Sequence, residues 1–204
     1  MSDHYFSSQP DSDVKEHRFN LEIRGNEFSI HTQNGVFSTH GLDKGTAVLL
    51  SKVPSPQVPS GALAVDLGCG WGPITLALAT EAPNAVVLGV DINERAMALA
   101  AENIATNHVK NASIDNSKNA YQRLKDSGQT IDLMWSNPPI RIGKTELHEL
   151  LSQWFDLLSP QGKAFIVVQK NLGADSLARW ITKNGYTVEK IGSSKGFRVF
   201  EISR

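Results

Sequence analysis

The chain has 204 residues and a formal net charge of −1, and 40% of its residues are hydrophobic and 20% charged. These values are typical of one globular domain with a sizeable core, and the near-zero charge excludes a general nucleic-acid coat protein. The single cysteine, Cys69, excludes an intramolecular disulfide and a cysteine-based zinc site, and the histidines lack metal-ligand spacing.

No targeting or membrane segment is expected. Residues 1–13 are polar and lack the apolar core of a signal peptide. The longest apolar runs, such as Ala62–Leu67 and Ala164–Val168, are far too short to span a bilayer. The sequence therefore predicts a cytoplasmic protein that binds neither a membrane nor a metal.

The first natural break is the proline-rich segment 53–61, which is typical of a loop or linker. It divides a predicted N-terminal extension, residues 1–60, from a predicted main domain, residues 61–204. Within the extension, apolar and polar residues alternate over Phe19–Arg24 and Glu27–Thr32, which predicts a β-hairpin around Gly25-Asn26. Asp43 is a candidate cap for a helix over Lys44–Ser51.

After the break, short apolar strands alternate with amphipathic helices. Strands are predicted at Leu63–Leu67, Ala85–Asp91, Ala112–Ile114, Ile131–Ser136, Lys163–Gln169, Tyr186–Ile191 and Phe197–Ile202. Helices are predicted at Pro73–Glu81, Glu94–Asn107, Tyr121–Asp126, Thr145–Leu158 and Asp175–Asn184, with Ser159–Gly162 as a turn that ends the fourth. This alternation predicts a mostly parallel sheet with helices on both faces, and the last two strands predict an antiparallel edge.

A glycine-rich loop, Asp66–Gly72, joins the first strand of the main domain to its first helix. Glycines let the backbone turn sharply and approach a ligand closely, and a helix start attracts anionic or polar groups. A purely structural turn is one interpretation. A nicotinamide-binding loop is another, although it would prefer G-x-G-x-x-G to the G-x-G-x-G found here. Asp91, at the end of the next strand, is either a cofactor ligand or a helix cap.

The segment Ser136-Asn137-Pro138-Pro139-Ile140 follows the fourth strand. The two prolines have fixed φ angles, so the Pro138 carbonyl is held rigidly beside the amide oxygen of Asn137. Two such acceptors can hold a planar amino group and leave its nitrogen lone pair aimed at an electrophilic methyl group. The alternative is a loop that the prolines merely stiffen.

The Asp66–Gly72 loop resembles motif I of class I methyltransferases that use S-adenosylmethionine (SAM), and Asn137–Ile140 resembles the [DNS]-P-P-[YFW] motif of amino methyltransferases. Over residues 4–204 the chain is similar to the small-domain (MTS) methyltransferase family, related to ribosomal small-subunit rRNA guanine-N2 methyltransferases. Other segments that carry this resemblance are His4–Ser7, Gly35–Ser38, Leu42–Thr46, Asn137–Lys144, Val167–Lys170 and Lys195–Val199.

The resemblance implies an α/β fold: a Rossmann-like seven-stranded, mostly parallel sheet with an antiparallel C-terminal edge, preceded by the short β-hairpin extension. Family members with two domains carry an extra N-terminal copy, so the implied contacts that position RNA lie outside this catalytic half.

The resemblance also implies a SAM site. The loop residues Asp66, Gly68, Gly70 and Gly72 would lie against the methionine end, and Asp91 would accept hydrogen bonds from the ribose hydroxyls with Ile92 beside it. Phe37, Ser38, Thr46 and Asn137 would lie close to the cofactor. The adenine end is assigned to Asp115 or Asn116, which follow the third strand.

Asn137 and Pro138 are the implied catalytic pair that holds the substrate amino group, with Pro139 and Ile140 beside them. Ile140 stands where the motif has an aromatic residue, and this disfavours an adenine-N6 or a glutamine-N5 enzyme. Basic residues at the ends of later elements are predicted to form a phosphate-binding rim: Arg141, Lys144, Lys170 and Arg198.

The predicted function is therefore N-methylation of guanine N2 in structured RNA, with ribosomal RNA or a ribosomal subunit as the partner. Glutamine-N5 protein methylation, N6-adenine methylation and nicotinamide-dependent oxidoreduction remain enzyme alternatives. A SAM-fold RNA-binding or assembly protein is the non-enzyme alternative.

Overall fold

The computed structural model describes residues 15–36 and 38–204 of the chain. The first elements are β1 (Glu16–Ile23) and β2 (Asn26–Gln33), which pair antiparallel. Their turn consists of Arg24 and Gly25, with φ angles of 51° and 79°. Positive φ at both positions is the type I′ geometry that matches strand twist. The predicted turn, Gly25-Asn26, was therefore wrong by one residue, since Asn26 already pairs with Ile23.

The remaining elements alternate as predicted. They are α1 (Lys44–Lys52), β3 (Leu63–Leu67), α2 (Pro73–Glu81), β4 (Val86–Asp91), α3 (Glu94–Thr106), β5 (Ala112–Asn116), α4 (Ser117–Ser127), β6 (Ile131–Ser136), α5 (Lys144–Phe155), β7 (Leu158–Gln169), α6 (Ala174–Lys183), β8 (Thr187–Ser194) and β9 (Phe197–Ser203). Short 3-10 turns cover Ile140–Ile142 and Lys170–Leu172.

Seven of the strands in the described ranges form one sheet in the order β5-β4-β3-β6-β7-β9-β8. Strands β3 to β7 run parallel, and β9 is antiparallel to both of its neighbours, β7 and β8. The predicted fold is confirmed: a mostly parallel sheet with an antiparallel C-terminal edge and an N-terminal hairpin.

The segment Ser159–Gly162 is not the predicted turn but part of β7. It forms an irregularity in the pairing with β6, where the register shifts between Ile131 and Leu133. Gly162 lies against the partner backbone, since a Cβ there would come within 2.4 Å of the Ile131 carbonyl oxygen. Such close approach requires glycine, so the proline and glycine mark a bulge rather than the end of a helix.

Helix α4 begins four residues earlier than predicted because Asn116 caps it. The Asn116 side-chain oxygen accepts from the backbone N–H groups of Lys118 and Asn119 at 3.0 and 3.4 Å. These bonds satisfy two of the unpaired donors at the helix start.

The hydrophobic core has two parts, one on each face of the sheet. Alternate residues of β3 point to opposite faces, with Ala64 in one cluster and Val65 in the other. Helices α1 to α3 and the hairpin cover the first face, and helices α4 to α6 cover the second. Apolar residues on both sides of position 60 share the first cluster, and the division there remains a prediction. No helix in the described ranges is long and apolar enough to cross a bilayer.

Two asparagines, Asn103 within α3 and Asn107 at its C-terminal cap, attach the hairpin to this helix. The fully buried Asn103 accepts from His31 N at 2.8 Å and donates to the carbonyl oxygens of His31 at 3.0 Å and Trp71 at 2.9 Å. One turn later, the half-buried Asn107 makes the corresponding pair of bonds to the Ser29 backbone.

A carboxyl group is buried in the centre of the sheet. Asp66 of β3 has no exposed surface, and Thr75 donates to its Oδ2 at 2.7 Å. Its Oδ1 has no hydrogen-bond partner among the described residues. Burial raises the pKa of Asp66 from 3.8 to about 7, against the opposing effect of the Thr75 bonds and with a further increase from Asp91.

We expect Asn103→Ala to lower the free energy of unfolding by about 3 kcal/mol or more, because it leaves three buried backbone groups unpaired. Asn107→Ala is the matched control on the same helix and should cost only about 1 kcal/mol, since water can reach the groups it leaves. Denaturant unfolding of both variants measures the difference. Equal losses would contradict the assigned role of Asn103.

We expect the stability of the wild-type protein to fall between about pH 4 and pH 7 relative to that of Asp66→Asn. The folded state keeps the Asp66 proton over this interval and the unfolded state releases it, so rising pH favours unfolding. The stability difference between the two proteins should change by roughly 4 kcal/mol across the interval. Parallel stability profiles in denaturant at several pH values would show that Asp66 is ionised in the folded protein.

Candidate active site

The carboxyl ends of β3, β4 and β6 open into a cavity of about 760 Å³. The chain leaves β3 toward β4 and β5 and later returns on its other side as β6, so this is where the strand order reverses. Ligands of open α/β sheets bind outside the carboxyl ends of the strands at this reversal. The volume is in the range of cofactor and small-molecule sites.

The glycine loop forms one wall of the cavity. Gly68, Gly70 and Gly72 have φ angles of 81°, 55° and 94°, which other residues rarely adopt. The N–H groups of Gly68 and Cys69 both donate to the Val90 carbonyl at 2.9 Å, which ties the loop to the end of β4.

Trp71 packs beneath the loop and joins it to the N-terminal segment. Its indole is buried, and Nε1 donates to the Ser38 carbonyl at 3.0 Å. Ser38 has a positive φ of 60°, and its hydroxyl donates to the Gly41 carbonyl at 2.6 Å. The segment that follows β2 is therefore held against the glycine loop.

Asp91 ends β4 with its carboxylate at the cavity. Oδ2 accepts from Gly70 N at 2.9 Å, and Oδ1 accepts from the N–H groups of Ile92 and Asn93 at 2.7 and 3.0 Å. Since a carboxylate oxygen has two lone pairs, Oδ2 keeps one for a ligand hydroxyl. Ile92 beside it is 36% exposed and offers an apolar surface to the same cavity.

The Asn-Pro-Pro segment forms the facing wall. Ser136, the last residue of β6, donates from Oγ to the Leu67 carbonyl at 2.6 Å and joins the ends of β6 and β3. Pro139 has φ −74° and ψ 77°, and Ile140 N donates to the Pro138 carbonyl at 2.8 Å. This is an inverse γ-turn, which fixes the Pro138 carbonyl and leaves its second lone pair free.

The Asn137 side chain is fixed by the start of α1. Its Nδ2 donates to Asp43 Oδ1 and Oδ2 at 3.2 and 3.1 Å and contacts Thr46 Oγ1 at 3.1 Å. Asp43 is the predicted N-cap of that helix, and it also accepts from the N–H groups of Gly45 and Thr46. In the parts of the chain that the structure describes, no donor is recorded for Asn137 Oδ1.

The cavity brings together eleven of the predicted site residues. They are Ser38, Thr46, Gly68, Gly70, Asp91, Ile92, Asn137, Pro138, Pro139, Ile140 and Arg141. Seven others do not line it: Asp66, Gly72, Asp115, Asn116, Lys144, Lys170 and Arg198. Phe37 lies outside the described residues.

The side chains predicted for the adenine end have other partners. Asp115 forms an ion pair with Arg123, and the Asn116 side chain caps α4. From this end of β5 the cavity is instead lined by Ser117 and Lys118. The ion pair with Arg123 and the helix cap therefore occupy both side chains, Asp115 and Asn116, that the sequence suggested for the adenine end.

The predicted phosphate rim is only partly assembled at the cavity. Arg141 lines it and is exposed, whereas Arg198 forms an ion pair with Asp175 of α6. Lys144 lies on a neighbouring surface groove with His148 and Trp180, whose rings stack at 3.8 Å. Lys170 is exposed after β7, away from the cavity lining.

Other residues line the cavity without having been assigned a role from the sequence. Phe197 at the start of β9 is half-buried, and Tyr121 of α4 and the buried Trp154 of α5 form further aromatic surface. The only sequence signal for Phe197 was that its segment, Lys195–Val199, carries part of the family resemblance. No role followed from it for Phe197 itself. Tyr121 and Trp154 carried only the apolar periodicity of their helices.

Comparison with known proteins identifies the family. The model of the methyltransferase small domain matches residues 27–201. The uncharacterized protein YbxB of Bacillus subtilis is 32% identical over 204 residues, which is 100% of both chains. The ribosomal RNA small subunit methyltransferase C of Psychromonas ingrahamii is 31% identical over 161 residues, covering 77% of this chain and 44% of the enzyme.

A solved structure shows the same fold. The T. thermophilus 16S rRNA N2 methyltransferase (RsmC), in complex with AdoMet and guanosine, superposes with a TM-score of 0.75 and 22% sequence identity. The match covers 95% of this chain and 51% of that one, so the chain spans about half the length of the named rRNA enzymes. Because the family model covers most of its length, the chain belongs to the methyltransferase small-domain family of SAM-dependent methyltransferases, as its sequence predicted.

Proposed function

We propose that this protein transfers a methyl group from SAM to the exocyclic N2 amino group of a guanine in small-subunit rRNA. The observation that carries the proposal is the cavity shared by Asp91, the glycine loop and the Asn137-Pro138 acceptors. A cofactor site and an amino-group site that share one cavity are what direct group transfer between two ligands requires.

The cofactor end fits SAM in the groups that it presents. Asp91 Oδ2 has the free lone pair that a ribose hydroxyl needs, and the exposed Ile92 side chain suits the face of an adenine ring. Gly68 and Gly70 let the backbone approach the amino-acid portion closely. Bound SAM would supply a methyl group carried on a positively charged sulfur.

Asp66 and Gly72 would act on the cofactor end of the cavity indirectly. Asp66 is buried behind the loop, and Gly72 begins α2 where a Cβ would come within 3.3 Å of the Ala100 Cβ. Both therefore shape the loop rather than contact the cofactor. We assign the adenine amino group to the neighbourhood of Ser117, in place of Asp115 and Asn116.

Asn137 and Pro138 would hold the target amino group. The Asn137 Oδ1 and the remaining lone pair of the Pro138 carbonyl are two acceptors for its two N–H groups. Both acceptors also stabilise the positive charge that grows on the nitrogen during transfer. A strong general base is unnecessary, since the nitrogen becomes acidic once it carries this charge.

A nucleobase substrate is supported by an aromatic side chain in the same cavity as these acceptors. Phe197 Cε1 and Asn137 Nδ2 would each lie 3.1 Å from the same point, a Cβ placed on Gly45. Phe197 thus offers a stacking face close to the Asn137 side chain, which the aliphatic Ile140 does not. The named relatives act on small-subunit rRNA, and one was solved with guanosine.

We expect Asn137→Ala to lower kcat by about 10²–10³-fold with little change in SAM affinity, because it removes one acceptor that acts on the developing charge. The assay uses labelled SAM and small ribosomal subunits from cells lacking the protein, followed by nucleoside analysis for N2-methylguanosine. Calorimetric titration with S-adenosylhomocysteine measures the cofactor site separately.

Asn119→Ala, at an exposed position of α4 outside the cavity lining, is the matched control and should keep wild-type activity. Label that appears in protein rather than RNA would reject the proposal in favour of glutamine methylation. Methylation on adenine would reject the guanine assignment alone.

We expect Phe197→Leu to lower kcat/KM for RNA by about 10-fold or more, because a base stacked on an aromatic ring gains about 1–3 kcal/mol. Phe197→Tyr should retain most of the activity. Phe19→Leu is the control, since Phe19 is equally half-buried but lies on β1 and does not line the cavity. Equal effects of the two leucine variants would rule out stacking.

A further inference from the structure

We propose that Asp43 is a positioning residue for the Asn137 amide, and that its carboxylate determines which end of that amide meets the substrate. The inference rests on the proposed function, in which Asn137 Oδ1 accepts from the target amino group. Asp43 was expected from the sequence only to begin a helix. The structure places its carboxylate against a residue 94 positions later in the chain.

The argument begins with the chemistry of an asparagine side chain. Its two ends are nearly equal in size, but one donates two hydrogens and the other only accepts. Turned over, Asn137 would present a donor to a target amino group that is itself a donor, and the contact would be repulsive. A substrate site built on this residue therefore requires something that selects one orientation.

The Asp43 carboxylate supplies that selection because it can only accept. Both of its oxygens lie within 3.2 Å of Asn137 Nδ2, so the reversed amide would place an oxygen against a negative charge. The carboxylate is itself fixed by two backbone N–H groups, from Gly45 at 2.8 Å and Thr46 at 3.1 Å. The first turn of α1 thus holds the carboxylate rigidly, and the carboxylate holds the amide.

Close packing adds a second constraint. Gly45 lies so near this contact that a Cβ there would be 3.1 Å from Asn137 Nδ2, from Asp43 Oδ1 and from Phe197 Cε1. Helix interiors favour alanine over glycine, so a glycine in the first turn is a departure that the crowding explains. The space at Gly45 is needed for Asn137 to reach the carboxylate.

A simple capping role predicts different behaviour from a positioning role. Asparagine caps helices as well as aspartate does, so Asp43→Asn preserves the cap. It nevertheless replaces an obligatory acceptor with a group that can donate, which permits the Asn137 amide to turn over. The exchange Asp43→Asn with Asn137→Asp restores a donor–acceptor pair in reversed order, keeps the net charge and leaves an acceptor oxygen toward the substrate.

The test is a cycle of the two single variants and the double variant, assayed for kcat with the RNA substrate and for affinity with S-adenosylhomocysteine. We expect each single variant to lose about 10²-fold in kcat with cofactor affinity unchanged. Asp43→Asn lets the Asn137 amide turn over, and Asn137→Asp sets two carboxylates against each other, so each variant misdirects the acceptor. The double variant should exceed both single variants by about 10-fold or more, because neighbouring groups couple. A double variant no more active than the better of the two single variants would overturn the proposal.

Gly45→Ala is a second test of how Asn137 is positioned, and it leaves the Asp43 side chain unchanged. We expect the variant to remain folded, because the preference of helices for alanine offsets part of the strain at the new Cβ, and to lose about 10-fold in kcat from displacement of Asn137; the melting temperature checks the folding. Wild-type kcat in this variant would contradict the packing constraint.

Failure of the proposed function would be recognised separately. If the wild-type protein methylates no RNA, that function fails, but NMR of the side-chain amides still tests the positioning of Asn137. Its resonances are identified by their absence in Asn137→Asp. We expect both resonances to shift in Asp43→Asn because the carboxylate contact is lost, and unchanged resonances would overturn the inference.

Discussion

The parallel pairing of β3 with β6 is the constraint on which the site depends. Leu67 pairs with Ser136, and the Ser136 hydroxyl donates to the Leu67 carbonyl, so the two strands end side by side. The glycine loop leaves one strand and the Asn-Pro-Pro segment leaves the other. One intervening strand would separate them by a further ~4.8 Å, which is more than the contact distance that direct methyl transfer allows. The position of β6 next to β3, rather than next to β5, creates a common cavity for the two ligands.

The segment between β2 and α1, which includes Ser38 and Asp43, forms part of the wall of this cavity and does not only cover the sheet. It reaches the glycine loop through the bond between Trp71 and the Ser38 carbonyl, and it reaches the Asn-Pro-Pro segment through Asp43 and Asn137. The hairpin that precedes these contacts is itself attached to α3 by Asn103. Stability and chemistry are therefore coupled, since loosening the hairpin would also loosen both walls of the cavity.

The elements that the sequence predicted best are those with purely local signals. Strands β3 and β6 and helix α2 begin and end where predicted. The apolar runs of the strands stop at glycine or at Asn-Pro, and the helix lies between Gly72 and the Ala82-Pro83 pair. Two of the differences from the prediction involve long-range contacts. Gly162 of the bulge lies against the Ile131 carbonyl of another strand, and Arg198, which does not line the cavity, forms an ion pair with Asp175 of another element. No pattern within a short window specifies either partner.

The aromatic residue absent from position 140 has a counterpart elsewhere in the site. Ile140 closes the γ-turn and begins a short 3-10 turn in the loop, whereas Phe197 begins β9 and pairs with Gln169 of β7. A stacking face on a strand is held by the ladder of backbone hydrogen bonds, while one on a loop moves with the segment that also carries the acceptors. In the proposed function, this separation lets α1 fix Asn137 while the sheet fixes the plane of the stacked base. The proposal of a nucleobase target therefore depends less on what Ile140 lacks than on what Phe197 offers in the same cavity as Asn137.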